Sequence, residues 1–374
     1  MTTHPYIEVE SIHELPCPNA ETGRIEHYAF QNIDFNSVPQ YVAAHHRFSD
    51  CCFLGCDITK EMEDHIGQTC LIFPKMRMLY RAFTNCLYTG ETLYEGYDPD
   101  DEQSFDTCYD TRVYQDYIHK GKHSDDIRET LARTIHDHSM SDAMYGMLNK
   151  LDEKQIVAVM GGHALLRTDQ AYRKVALLSK ALTEKGKLMV SGGGPGAMEA
   201  THFGAWMAGR TQEEVDEAIA VLSSAPGFHD EGWLHTALQI VRDYPQKHYY
   251  SLGIPTWLYG HEPATVFATH IAKFFTNSIR EDEILSIAGG GIIFTPGSAG
   301  TLQEIFQEAV QNHYLSFGHS SPMIFFGKDF WNKDVPIYPL FRNLSKKGRY
   351  QNLLISTTDD IIDVVTTLMK YRNE

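Results

Sequence analysis

No cysteine follows Cys108 in this chain of 374 residues; all seven (Cys17, Cys51, Cys52, Cys56, Cys70, Cys86 and Cys108) precede it. An odd number crowded into one end does not read as a disulfide framework, and reduced thiols are expected. Cys52-x3-Cys56 with His65 downstream is half of a zinc pattern. The second ligand pair is missing, so no metal is expected. No apolar run approaches the roughly 20 residues of a membrane span, and no membrane partner is expected. Residues 1–19 lack a basic stretch followed by an apolar one, so no signal peptide is read and a cytoplasmic address is expected.

Basic residues are also scarce, with 32 Lys+Arg against 49 Asp+Glu and a net charge of −17. Residues 1–150 carry 12 basic and 25 acidic side chains, residues 151–374 carry 20 and 24. Nucleic-acid binding needs a basic face and is not expected. The nearly neutral second half can still hold one small anion through backbone groups and a few cations. Glu95 to Asp110 is the acidic extreme, with Asp98, Asp100, Asp101, Glu102 and Asp106, and reads as a solvated loop.

Composition changes near residue 125. Residues 1–124 read as a mixed α/β extension of unknown role, in which short β-like runs alternate with turns. Segments 30–35 and 48–57 faintly resemble a five-residue repeat, too little to define a solenoid. Residues 125–153 read as a connecting helix, with Ile127, Leu131, Ile135, Met140, Met144 and Leu148 recurring at helical spacing. His136 and His138, two positions apart, point to different helix faces and do not read as a chelating pair.

From residue 154 to 374 strands alternate with helices. Strands are expected at Ile156–Met160, Leu188–Val190, Ala218–Ser223, Tyr250–Trp257, Gly291–Thr295 and Met323–Phe326. Helices are expected at Tyr172–Lys185, Glu199–Ala208, Thr265–Ser278, Leu302–Tyr314 and Ile361–Tyr371. This pattern predicts a Rossmann-like α/β fold, a doubly wound parallel sheet with helices on both faces.

Two turns carry the functional signal: Gly192-Gly193-Gly194-Pro195-Gly196 and Pro296-Gly297-Ser298-Ala299-Gly300-Thr301. Each stands between an expected strand and helix, where glycine allows close backbone approach and the helix start offers N–H groups to an anion. Neither is a Walker A loop, and neither fits the dinucleotide fingerprint with its later acidic residue. Thr301 can donate to a phosphate oxygen. Glu304 lies one turn on, either as a functional carboxylate or as a capping-box partner of Thr301. Arg280 stands sixteen residues before Pro296.

These motifs resemble the Lonely Guy family of phosphoribohydrolases, formerly labelled lysine decarboxylases, and its bacterial nucleotide 5′-monophosphate nucleosidase relatives. The family pattern Gly-Gly-Gly-x-x-Gly-x-Met is met at Gly192–Met198 with the last glycine one place early. Pro-Gly-Gly-x-Gly-Thr-x-x-Glu is met at Pro296–Glu304 with Ser298 in place of glycine. The resemblance covers about residues 154–370. It implies hydrolysis of the N-glycosidic bond of a nucleoside 5′-monophosphate, with Arg280 and Glu304 catalytic. Gly297, Ser298, Ala299, Gly300 and Thr301 would cradle the phosphate. Gly192, Gly193, Gly194, Met198 and Glu199 would shape the sugar and base side, and Gly161, Gly162 and His163 would line the same cleft. The resemblance also implies a homodimer or larger homo-oligomer and no cofactor. A nucleotide-sensing protein without chemistry is the alternative. A pyridoxal-phosphate decarboxylase is disfavoured, because no lysine lies in or beside either glycine loop.

Overall fold

The computed structural model describes residues 6–259 and 263–371. The chain divides into two compact units, residues 1–87 with 120–144, and residues 88–119 with 145–374.

The first unit is built from very short parallel strands: β1 (Ile7–Val9), β2 (Arg24–Glu26), β3 (Tyr28–Gln31), β4 (Arg47–Ser49), β5 (Cys52–Leu54) and β6 (Leu71–Phe73). One sheet has the order β1-β3-β5-β6, and β2 pairs with β4 in a second. Partners such as Ala29 and Cys52, or Arg24 and Arg47, stand about 20 residues apart, a spacing suited to stacked coils. Asp34 and Asp57 bridge in the same parallel sense. The two repeat-like fragments therefore occupy successive coils. Inward phenylalanines stack between coils, with Phe30 and Phe53 5.0 Å apart, and Phe35, Phe48, Val42 and Met62 fill the same interior. Asn32 and Gly55, at corresponding turns, both have positive φ. The repeat is faint in the sequence because few coils carry it.

The second unit holds the expected α/β architecture. Its strands are β7 (Ile156–Met160), β8 (Leu188–Ser191), β9 (Ser251–Gly253), β10 (His270–Ile271), β11 (Ile292–Phe294), β12 (Pro322–Phe326) and β13 (Leu354–Thr358). They form one parallel sheet, ordered β10-β9-β8-β7-β11-β12-β13, with helices on both faces. β7 is apolar and buried along its whole length, as a strand covered on both faces requires. From β7 the chain winds outward to β10, then returns to β11 and winds the other way. The switch point falls between β7 and β11, where sheets of this kind place ligands at the strands' carboxyl ends.

Several boundaries differ from the sequence reading. Ala218–Ser223 is not a strand: it lies in the helix Gln212–Leu222 and its cap, started by a Thr211–Glu214 capping box. Val215, Ala218 and Leu222 are its buried positions, at helical spacing that the short apolar run concealed. Thr265–Ser278 is not a helix. It contains β10, and a helix begins only at Asn277. Most of this stretch is buried whichever way its side chains point, so burial alone removed the periodic signal. The helices Trp233–Asp243 and Ile337–Lys346, and β13, were not anticipated. The acidic segment ends in a buried residue rather than a solvated one: Asp110 accepts from Lys273 Nζ at 2.8 Å and from Trp257 Nε1 at 2.9 Å. Among the described residues, no helix is long and apolar enough to cross a membrane.

Candidate functional site

The loops after β7 and β11 meet at the switch point. A methyl group added to Gly161 would overlap Thr295 Oγ1 and stand 2.8 Å from Ala197 Cβ. Only glycine lets β7, β11 and the helix Ala197–Trp206 converge this closely. Gly162 donates its N–H to Pro296 O at 3.3 Å and accepts from Ala197 N–H at 3.1 Å, tying both glycine loops to β7.

The second glycine loop leads into the helix Ala299–Tyr314. Its N-cap is Ser298, whose side chain makes no capping hydrogen bond. The first N–H groups of this helix therefore have neither intrahelical acceptors nor a side-chain cap. Ser298, Ala299 and Gly300 are exposed, while Thr301 is buried behind them with its hydroxyl against Gly297. This is an open helix start of the kind that binds anions. Because the helix starts at Ala299, Glu304 is not the capping-box partner of Thr301. It sits deeper in the helix and is buried.

Arg280 comes from the helix Asn277–Ile287. Its Nε donates to Ile254 O at 2.9 Å, and its Nη1 lies 3.8 Å from Glu304 Oε1. Its Nη2 presses on Gly192 beside the Met198 sulfur. Burial raises the Glu304 carboxyl to about 7, with Arg280 opposing the rise and Glu281 adding to it. Two hydrogen bonds join the helices that carry this pair: Gln303 Nε2 donates to Glu281 at 2.7 Å, and Gln307 Nε2 donates to Asp282 at 3.0 Å. These glutamines were missed in the sequence, although their four-residue spacing places them on one helix face.

The structure thus gathers Gly161, Gly162, Gly192, Met198, Arg280, Gly297, Thr301 and Glu304. It assigns other expected site residues elsewhere. Gly193 packs on Gly253 and accepts from Thr265 N–H at 2.8 Å, and Gly194 is buried. Both carboxylate oxygens of Glu199 accept from the Arg167 guanidinium, at 2.9 and 2.5 Å, and one also accepts from the Tyr172 hydroxyl at 3.2 Å. Arg167 also donates to Ala225 O, Trp233 O and Thr236. Glu199 is therefore a strut of the core before it is a ligand contact. His163 is exposed and lines a neighbouring cavity of about 550 Å³ with Glu199, Phe228 and Trp233.

No protein-family profile and no curated protein sequence matches the chain. Similar solved structures include the molybdenum cofactor binding protein of the phototrophic bacterium Rippkaea orientalis, at 17% identity and a TM-score of 0.36, covering 57% of this chain and 96% of that one. The molybdenum cofactor carrier protein of Chlamydomonas reinhardtii is similar at 15% identity and 0.36, covering 59% and 98%. These neighbours are described as cofactor-binding and cofactor-carrier proteins, not phosphoribohydrolases, so the comparisons give no support to the expected family membership, hydrolase assignment or N-glycosidic cleavage. The physical reason the motifs misled is that both glycine patterns specify backbone geometry at strand-to-helix turns. That geometry serves binding and catalysis alike, and fold does not carry function. At these identities the likeness speaks to the fold alone.

Proposed function

We propose that the second unit binds a small phosphorylated molecule, with a nucleoside 5′-monophosphate as the ligand class to test first. The observation that carries this reading is the uncapped, exposed start of the helix Ala299–Tyr314, with the Arg280 guanidinium close to Glu304 on that same helix. The phosphate takes the N–H groups of Ser298 to Gly300 and the Thr301 hydroxyl, while Arg280 supplies the positive charge. Gly162, Gly192 and Met198 shape the adjoining wall. Glu304, raised to about 7, carries its proton about half the time at pH 7, which lessens repulsion of an anion beside it.

Calorimetric titration of adenosine, cytidine and inosine monophosphates and ribose 5-phosphate tests this reading, with molybdenum cofactor as a competitor. Micromolar binding that Arg280→Ala weakens by about tenfold or more supports it. Competition by the cofactor would place that molecule at the same loops. Equal affinity for ribose and ribose 5-phosphate would remove the phosphate from the reading.

Homo-oligomerisation belongs to the same proposal. Phe306, Val310 and Tyr314 form an exposed stripe at four-residue spacing on the helix Ala299–Tyr314. Sedimentation that reports a monomer at micromolar concentration would contradict it. All seven cysteines are unpaired, which supports a reducing, cytoplasmic setting.

A further inference from the structure

A cavity of about 720 Å³ lies at the opposite edge of the large sheet, at the amino-terminal ends of its strands. Gln155 precedes β7, Leu188 opens β8, Tyr250 precedes β9 and His270 opens β10, and all four line it. No residue of either glycine loop contributes. The volume falls in the range of small-molecule sites.

Its walls have a definite chemistry. Tyr250, one of the lining residues, is 53% exposed. Its ring meets His270 edge-on at 5.7 Å. Burial lowers the His270 pKa, so the imidazole is neutral at physiological pH and presents an uncharged aromatic surface. Leu151, 38% exposed, and Met147 supply apolar wall. Thr183 stands in the last turn of the helix Gln170–Glu184 with only 2% of its surface exposed, and its hydroxyl has no hydrogen-bond partner among the described residues. A threonine hydroxyl in a helix usually finds the carbonyl of the preceding turn, and an unmade buried hydrogen bond is costly. Lys150 is exposed beside it and makes no ion pair among the described residues.

We propose that this cavity is a second small-molecule site, taking a planar heteroaromatic ligand of nucleobase size. One face of the ligand stacks on Tyr250, and an edge acceptor takes the Thr183 hydroxyl. Lys150 favours ligands that carry an acidic group, and the ring itself needs no phosphate. Stacking on an exposed tyrosine tolerates different rings, so purines are bound with little discrimination between them. The site is independent of the phosphate-binding loops and stands or falls without them.

The test is calorimetry of the full chain with adenosine and guanosine, which lack the phosphate that the glycine loops would hold. One-to-one binding is expected. Tyr250→Ala should weaken it by about tenfold and Tyr250→Phe should spare it, because stacking resides in the ring. Thr183→Val should weaken it by a factor of about five, while Arg280→Ala should leave it unchanged. The exposure of Tyr250 makes its replacement safe for the fold, which a melting curve checks. No binding of either nucleoside up to about 1 mM would overturn the site. So would binding that persists in Tyr250→Ala and Thr183→Val, or that disappears in Arg280→Ala.

Discussion

Arg280 Nη1 stands 3.8 Å from Glu304 Oε1, at the outer reach of an ion pair, with both side chains largely buried. The separation leaves Arg280 hydrogen-bonded to Ile254 O and only loosely engaged with the carboxylate. A guanidinium so placed can turn to an incoming anion without first breaking a bidentate pair. The contrast within the same unit is Arg167, which grips Glu199 through two hydrogen bonds and has no such freedom.

Glu304 makes stability depend on pH. Burial raises its pKa from 4.5 to about 7, so between these values the folded protein keeps a proton that the unfolded chain has lost. Its contribution is greatest below pH 4.5, falls as pH rises through that window, and has dropped by about 3 kcal/mol above pH 7. Glu308, raised to about 8 by burial, acts in the same direction. Glu304→Gln should therefore be more stable than the parent at pH 8 by about 1–3 kcal/mol and show little advantage at pH 4.5. Urea unfolding at the two pH values reads this directly.

Gln303 and Gln307 hydrogen-bond across the two helices that carry Arg280 and Glu304. Replacing both by alanine removes two hydrogen bonds to carboxylates, each of the stronger, charge-assisted kind. Affinity for ribose 5-phosphate should fall by roughly threefold to tenfold, with a melting temperature close to that of the parent. A large loss of stability with unchanged affinity would make the glutamines structural only.

Glu199 is expected to behave as a core residue. Glu199→Ala leaves Arg167 buried without its partner and should cost about 3–5 kcal/mol. Phosphate affinity per folded molecule should not change. Thermal unfolding beside a binding titration separates the two effects.

Gly192→Ala tests the packing of the first glycine loop. The added methyl would overlap Arg280 Nη2 and the Met198 sulfur, both far ends of flexible side chains. The fold should survive, and ribose 5-phosphate should bind roughly tenfold more weakly because the guanidinium is displaced. Gly161→Ala meets Thr295 and Ala197 near their backbones instead, and should lose stability first.

The parallel sheet and the two glycine-rich strand-to-helix turns were legible in the sequence, because continuous apolar runs ending in glycine have few other readings. The sequence did not reveal β10 or the start of the following helix, where nearly uniform burial removes periodicity. Arg280 and Glu304 were singled out through their motifs, and the fold brings them within 3.8 Å of each other. The commitment of Glu199 to Arg167 was not legible, since thirty-two residues separate them and only the fold brings them together. The coiled unit was only faintly legible because its strands hold only three or four residues and few coils carry the pattern. What the motifs could not convey was chemistry, because the backbone geometry of a glycine loop does not specify a reaction.

The most direct test is phosphorus NMR of ribose 5-phosphate titrated with the parent protein and with Arg280→Ala, using free ribose in a parallel calorimetric series. The phosphate resonance should shift and broaden with the parent, and the effect should weaken by about tenfold or more in Arg280→Ala, while ribose shows no binding. An unperturbed phosphate resonance at saturating protein, or an equal response in Arg280→Ala, would contradict binding at the Gly297–Thr301 loop.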